Sequence, residues 1–237
     1  MPHELQIDDE GHVAQITISA PPKNALDRAA IEELRAILAD LGQRASTRAV
    51  VLSGAGGNFC AGRIRDVALR TPAEIATDLA PILAMNEQLE TFPVPIVAAV
   101  EGVALGFGFG LATLCDVTVA AESATFALTE LAHGIPPLIV LSYFFRFLPY
   151  KVGLDLALFG RELDAGEAKR LGLVTTTCPT GTASDEAVAL ARRIAEIDPE
   201  AIRLLRSFAR TQAAILDAPA ARSGADRIAA LLARENA

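Results

Sequence analysis

The sequence predicts an α/β protein of layered strands and helices, and three observations carry that prediction. Short apolar strands alternate with helical patterns through the first three quarters of the chain, in the order βαβαβ. Two glycine-rich loops each follow one of those strands. From Ser184 onward the pattern is amphipathic helix alone.

Each element has its own signal. Val13 to Ser19 (VAQITIS) alternates apolar and polar as a strand does, and Asp27 is placed to cap a helix with Ile31, Leu34, Ile37, Leu38 and Leu41 on one face, ending at Gly42. Ala49 to Ser53 (AVVLS) reads as a short buried strand, and the loop GAGGNFCAGR follows it. A helix is expected from about Thr71 to Thr91, then a strand at Ile96 to Val100. The glycine segment EGVALGFGFGLATLCD opens a further helix that ends near Cys115, and Val117 to Ala120 forms another strand. Asp164 with Glu167 makes a capping box, Gly172 is a helix stop, and Val174 to Thr177 is a last strand. The change of pattern places a boundary near residue 182, giving a core of residues 1–182 and a helical module of residues 183–237 interrupted at Pro199 and Pro219.

Composition excludes several classes of function. A chain of 237 residues with 51% hydrophobic residues can bury a large core. Its formal net charge of -8 disfavours nucleic acid and anionic membranes as partners, so an anionic ligand would need a local basic patch. The three cysteines, Cys60, Cys115 and Cys178, fit neither a disulfide framework nor a zinc site and read as reduced thiols, so a cytoplasmic protein without a metal centre is expected. Met1 to Glu10 has no apolar run of the kind a secretory signal needs, and no stretch is long enough to span a membrane.

The crowded glycines pose the functional question, because each costs roughly 0.5 to 1 kcal/mol inside regular structure. Gly102, Gly106 and Gly108 fit the GxxxGxG spacing of a dinucleotide loop, but they lie behind a hundred residues of other α/β structure, and no YxxxK follows. Gly57 to Gly62 has P-loop spacing, yet Arg63 and Ile64 stand where Lys and Ser or Thr must be. No GxSxG elbow is present. Two loops that each present a backbone N–H to one carbonyl oxygen fit instead an oxyanion hole, which stabilises an enolate.

Five segments in order resemble the crotonase superfamily of enoyl-CoA hydratases and isomerases: PPKNAL, VVLSGAGGNFCAG, GVALGFGFGLATLCD, FALTELAHGIP and ALFGRELDAGEAKRLGLV. The resemblance covers most of the chain. It implies the crotonase fold, a spiral of ββα turns with a C-terminal helical oligomerisation module, assembled as a homotrimer or a dimer of trimers. It implies an acyl-CoA substrate and no cofactor beyond the coenzyme A of that substrate. The oxyanion donors it implies are the backbone N–H groups of Arg63 and Phe107. The coenzyme A positions are Lys23, Ala25, Leu26, Ala61, Arg63 and Arg65, with Gly106 and Gly108 shaping the second loop, and Lys23, Arg63 and Arg65 provide the local positive charge that phosphates require.

The acid/base groups match in part. Hydratases of the superfamily use two glutamates; the second is present as Glu130, and the first maps onto Gly110. Hydration is served by two carboxylates, whereas one carboxylate suffices to carry a proton between two carbons of an enolate. Glu130 alone, and the bulky Phe107, therefore favour double-bond isomerisation, with hydration as the alternative. Decarboxylation or hydrolysis of the thioester, and a silent paralogue that only binds acyl-CoA, are further readings. His133, Asp116 and Cys60 read as structural residues. Ile64 departs from the Asp of many relatives, and HGIPPLIVLSYFF lacks the glycines that usually follow GIP. The C-terminal apolar positions Ile202, Leu204, Leu205, Phe208, Ile215 and Leu216 call for a cover, which the resemblance assigns to other subunits.

Overall fold

The computed structural model describes residues 4–66, 68, 71–213 and 218–235. A six-stranded sheet has the order β1-β2-β3-β4-β6-β9, formed by Glu4–Glu10, Val13–Ser19, Ala49–Gly54, Ile96–Val100, Val117–Ala121 and Thr176–Cys178. Only β1 runs antiparallel to its neighbour; β2, β3, β4, β6 and β9 are mutually parallel. Buried on both faces, β4 (IVAAV) is apolar throughout, as an inner parallel strand must be. Of this sheet, β1 is the strand that sequence patterning missed, because its acidic run lacks an apolar alternation; charge on an edge strand discourages pairing with other chains.

A smaller sheet stands beside the first, with order β5-β7-β8 from Val103–Leu105, Thr125–Ala127 and Leu163–Asp164. Two isolated bridges extend it: Cys60 pairs with Ala104, and Leu26 pairs with Arg63. The segments KNAL, FCAGR, VAL and TFA thus lie side by side in chain order. This second layer carries the glycine loops.

The helices are α1 (Arg28–Gln43), α2 (Pro72–Thr91), α3 (Phe107–Leu114), α4 (Leu138–Phe147), α5 (Tyr150–Phe159), α6 (Ala165–Arg170), α7 (Ala183–Ala195), α8 (Pro199–Ala213) and α9 (Ala218–Glu235). Asp27 caps α1 by accepting from the Ala30 amide at 2.9 Å, and Thr71 with Glu74 forms a complete capping box on α2. Gly42 does not stop α1, which continues to Gln43. Its bare Cα instead admits Phe92 and Pro93, since a β-carbon there would lie 3.1 Å from the Phe92 ring. At α6, Asp164 caps the Glu167 amide at 2.6 Å, but the Glu167 carboxylate turns to Arg161 rather than completing the box.

Beyond residue 182 the helices do not form one appendage. Helix α7 lies on β2, β3, β4, β6 and β9 through Ala183, Ala187, Ala191 and Ala195, all buried, so it is a layer of the core. Helix α8 is fastened by Arg206 and Arg210, which both bond the Asp116 carboxylate and reach the carbonyls of Phe92 (2.7 Å) and Leu89 (2.6 Å). Helix α9 folds back against α2 and α4. Of the apolar positions expected to need a cover, Leu204, Leu205 and Phe208 are 58%, 64% and 67% exposed on α8. Ile202 is half-buried, and Ile215 and Leu216 lie outside the described residues.

Candidate active site

The glycines of the two loops let one backbone lie against the other. A β-carbon on Gly108 would stand 2.1 Å from the Cys60 carbonyl oxygen, and one on Gly102 would stand 2.3 Å from that of Gly57. The contact is held by hydrogen bonds from Phe59 N–H to the Glu101 carbonyl (2.8 Å), Cys60 N–H to Val103 (3.0 Å) and Leu105 N–H to Cys60 (2.9 Å). On the other side, Ala61 N–H donates to Lys23 (2.9 Å), Leu26 N–H to Gly62 (2.9 Å) and Ile64 N–H to Leu26 (2.8 Å). Buried Asn24 ties the same strands together, donating to the carbonyls of Ala55 (2.8 Å) and Asn58 (2.6 Å).

This pairing orients two amides. In a parallel bridge the residue whose neighbours bond the partner strand directs its own N–H to the opposite side. Arg63 is in that position relative to Leu26, so its amide faces toward the second glycine loop. Phe107 is the first residue of α3, where N–H groups lack intrahelical acceptors and the helix dipole is positive. Its nitrogen lies 4.0 Å from where a β-carbon of Gly62 would be. The turn before it requires φ +51° at Gly106, the left-handed region open to glycine.

Both residues border a cavity of about 430 Å³. Ala61, Arg63, Arg65, Gly106, Phe107 and Glu130 of the expected residues line it. Lys23, Ala25, Leu26 and Gly108 do not. Leu26 is buried in the bridge, Gly108 packs behind the loop against Cys60, and Lys23 is exposed. The remaining wall is mostly apolar: Leu79 and Ile82 from α2, Ile135 and Pro136 from the segment leading into α4, Ile139 and Val140 from α4 itself, and Ile228 and Leu232 from α9.

Glu130 begins a 3-10 turn, Glu130–His133, that Gly134 closes in the left-handed conformation. Its carboxylate stands over Gly106, with Oε1 2.8 Å from the position of an added β-carbon, and Oε2 is buried without a hydrogen-bond partner. Burial holds its pKa above the ordinary 4.5, with its own backbone amide opposing weakly. It is the one carboxylate among the described residues of the cavity wall.

Several residues in or behind the cavity wall escaped sequence reasoning. The Arg63 guanidinium forms an ion pair with Asp78, the two side chains being 12% and 8% exposed. Its charge is therefore compensated within the protein, and of the three expected cations only Lys23 and Arg65 are exposed. Asn86 faces the cavity with its amide nitrogen buried and unpartnered. Asp78 and Asn86 interrupt the apolar face Ile75, Leu79, Ile82, Met85 and Leu89 of α2, and polar residues in such a stripe were the signal that could have found them. Tyr143 is buried in the wall. His133 is an exposed residue of the rim, Asp116 is engaged by Arg206 and Arg210, and the Cys60 thiol is pushed up to about 12 by burial, which leaves it inert. Among the described residues no group of three or more His, Cys, Asp or Glu side chains is arranged to hold a metal ion, and no helix is long and apolar enough to cross a membrane.

Two sheets joined through paired glycine loops beside an apolar cavity are the architecture of the crotonase superfamily. Residues 8–230 match the family described as enoyl-CoA hydratase/isomerase, and the chain belongs to that family. A Bacillus subtilis relative named "Probable enoyl-CoA hydratase" is 35% identical over 202 residues, covering 81% of this chain and 76% of its own. The crystal structure of enoyl-CoA hydratase from Bacillus anthracis is similar with a TM-score of 0.80 and 31% identity, over 96% of this chain and 90% of that one. A structure described as probable enoyl-CoA hydratase from Mycobacterium thermoresistibile shares the fold with a TM-score of 0.86 at 24% identity, over 98% and 97% of the two chains.

Proposed function

We propose that the protein is an enoyl-CoA isomerase that moves a double bond through an enolate. The observation that carries this reading is the single carboxylate of the cavity wall, Glu130, desolvated and with one oxygen unpartnered, in a cavity that Arg63 and Phe107 of the two glycine loops also line. In the proposed reaction the thioester oxygen lies between the N–H groups of Arg63 and Phe107, which take up the negative charge that develops there; each such donor is worth about 3 kcal/mol in the transition state. Glu130 removes the proton from C2 of a 3-enoyl-CoA, and the proton is returned at C4. Raised basicity suits the carboxylate to this task.

Coenzyme A lies, in this reading, along Lys23 and Ala25, above the buried Leu26, and beside Ala61, with Lys23 and Arg65 meeting the phosphates. Arg63 contributes its backbone rather than its charge, and Gly106 and Gly108 hold the second amide. The protein acts as a cytoplasmic homotrimer or dimer of trimers, assembled through the exposed face of α8, and uses no cofactor of its own.

Hydration of a 2-enoyl-CoA is the second reading, favoured by the names of the relatives. A set of 2-enoyl-, 3-enoyl- and saturated acyl-CoA thioesters, followed by chromatography and mass spectrometry, decides between them. Isomerised product from the 3-enoyl substrate is expected; hydrated product alone, or free coenzyme A alone, overturns the isomerase reading.

A further inference from the structure

Gly110 lies one turn along α3 from Gly106, its amide bonded to the Gly106 carbonyl at 3.0 Å. The Glu130 carboxylate stands across Gly106, and the Tyr143 phenol stands across Gly110. The phenolic oxygen is 2.2 Å from the position that a β-carbon on Gly110 would take. Carbon and oxygen without a bond between them approach only to about 3.3 Å, so a side chain at 110 and the tyrosine at 143 exclude one another. Tyr143 is 1% exposed and held edge-on to Phe144 with ring centroids 5.6 Å apart, so it has little freedom to move aside. Burial, and secondarily the charge of Glu130, push its phenol up from its usual range, which keeps it neutral.

We infer that Tyr143 is the specificity-determining residue of the site, confining it to one-carboxylate chemistry by filling the space that a second carboxylate, and the water it would orient, must occupy. The inference rests on the isomerase reading above and explains how that outcome is enforced. In isomerisation the C2–H bond breaks, its electron pair enters the dienolate, a C–H bond forms at C4, and the double bond comes to rest between C2 and C3. Hydration consumes a water, whose oxygen bonds to C3 while a proton bonds to C2, and it needs a second group to orient that water. At Gly110, one helical turn along α3 from Gly106, where such a group would sit, the protein presents a neutral phenol whose oxygen is packed against the helix backbone.

The test measures the ratio of 3-hydroxyacyl-CoA to isomerised product from a common enoyl-CoA, by chromatography and mass spectrometry on the full chain. Tyr143→Ala opens the space and is expected to raise the ratio on the order of tenfold, and Tyr143→Ala with Gly110→Glu on the order of 10²-fold. Tyr143→Phe removes the oxygen but keeps the ring, whose Cζ is 3.5 Å from the position of a β-carbon on Gly110, and is expected to give a smaller rise than Tyr143→Ala. Should the alanine variant fail to fold by circular dichroism, Tyr143→Leu withdraws the oxygen from Gly110 while keeping the core apolar, and carries the same expectation. A wild-type ratio in every folded variant overturns the inference, as does a rise in Tyr143→Phe larger than in Tyr143→Ala, since the volume of the side chain would then play no part. Glu130→Gln separates the two levels: undiminished turnover there refutes the isomerase reading, whereas Glu130-dependent turnover with an unmoved ratio refutes the role of Tyr143.

Discussion

Gly108 and Cys60 meet backbone to backbone: the place of a β-carbon on the glycine is 2.1 Å from the carbonyl oxygen of the cysteine. A side chain at 108 therefore pushes the two glycine loops apart rather than entering the cavity, which Gly108 does not line. Gly108→Ala should destabilise the fold by about 1–3 kcal/mol, as overpacking does. In the fraction that folds, kcat should fall on the order of 10² because the Arg63 and Phe107 amides no longer converge. Thermal unfolding with single-substrate kinetics checks both, and a stable Gly108→Val enzyme with unchanged kcat would remove this contact from the mechanism.

Glu130 links activity to pH and to stability with opposite signs. Its raised pKa means that the acid limb of kcat/KM lies above pH 4.5, with activity rising as the carboxylate ionises. For the fold, the neutral acid is the favoured form. Stability is fully retained below the unfolded pKa and falls as pH rises through the folded one. Glu130→Gln should therefore unfold at a higher temperature than the wild type at pH 7 to 8, a difference that closes below about pH 4. Its turnover should drop by about 10² or more. An unchanged Tm at pH 8 would show that the carboxylate is not desolvated.

Arg63 and Asp78 form a pair that is nearly excluded from water. Asp78→Ala leaves a guanidinium in the cavity wall without its partner and should cost about 3–5 kcal/mol of stability. Replacing both residues, Arg63→Met with Asp78→Leu, should recover most of that loss, since a buried pair contributes little beyond an apolar pair of similar volume. Denaturant titration of the two singles and the double gives the coupling directly; additive losses would show that the ion pair is not formed in solution.

The α8 face carries Leu204, Leu205 and Phe208 largely exposed, a patch that a single chain leaves to water. Analytical ultracentrifugation should find an assembly of three subunits or twice three at micromolar concentration. Leu205→Glu with Phe208→Glu should shift the sedimentation coefficient toward that of a 24.9 kDa monomer. A wild-type monomer would show that the face has another use.

Much of this organisation was legible because local chemistry expressed it. Asp27, the start of α2 at Thr71, and the apolar runs of β3 and β4 are set within a few residues, so spacing reveals them. Elements set by distant partners were not legible: β1 is a strand because Glu4 to Glu10 pairs with Ser19 to Val13, and its acidic composition says nothing of that. The packing of α7 was hidden for the same reason: it lies on the large sheet, although by sequence pattern it goes with the helices that follow it in the chain. At the site, Gly106 and Glu130 were apparent from their motifs. The meeting of Gly110 with Tyr143, 33 positions apart by their numbers, exists only in the folded chain.

Helix α7 meets the large sheet through Ala183, Ala187, Ala191 and Ala195, an unbroken row of methyl groups. A methyl group has no rotamers, so this seam has no side-chain adjustment with which to absorb a change of spacing. A strand that shifted under the helix would have to carry the helix with it. The strands beneath α7 include β3 and β4, which lead into the two glycine loops, so the seam acts as a fixed gauge behind the amides: it sets the separation at which the loops begin, far from any atom of the cavity.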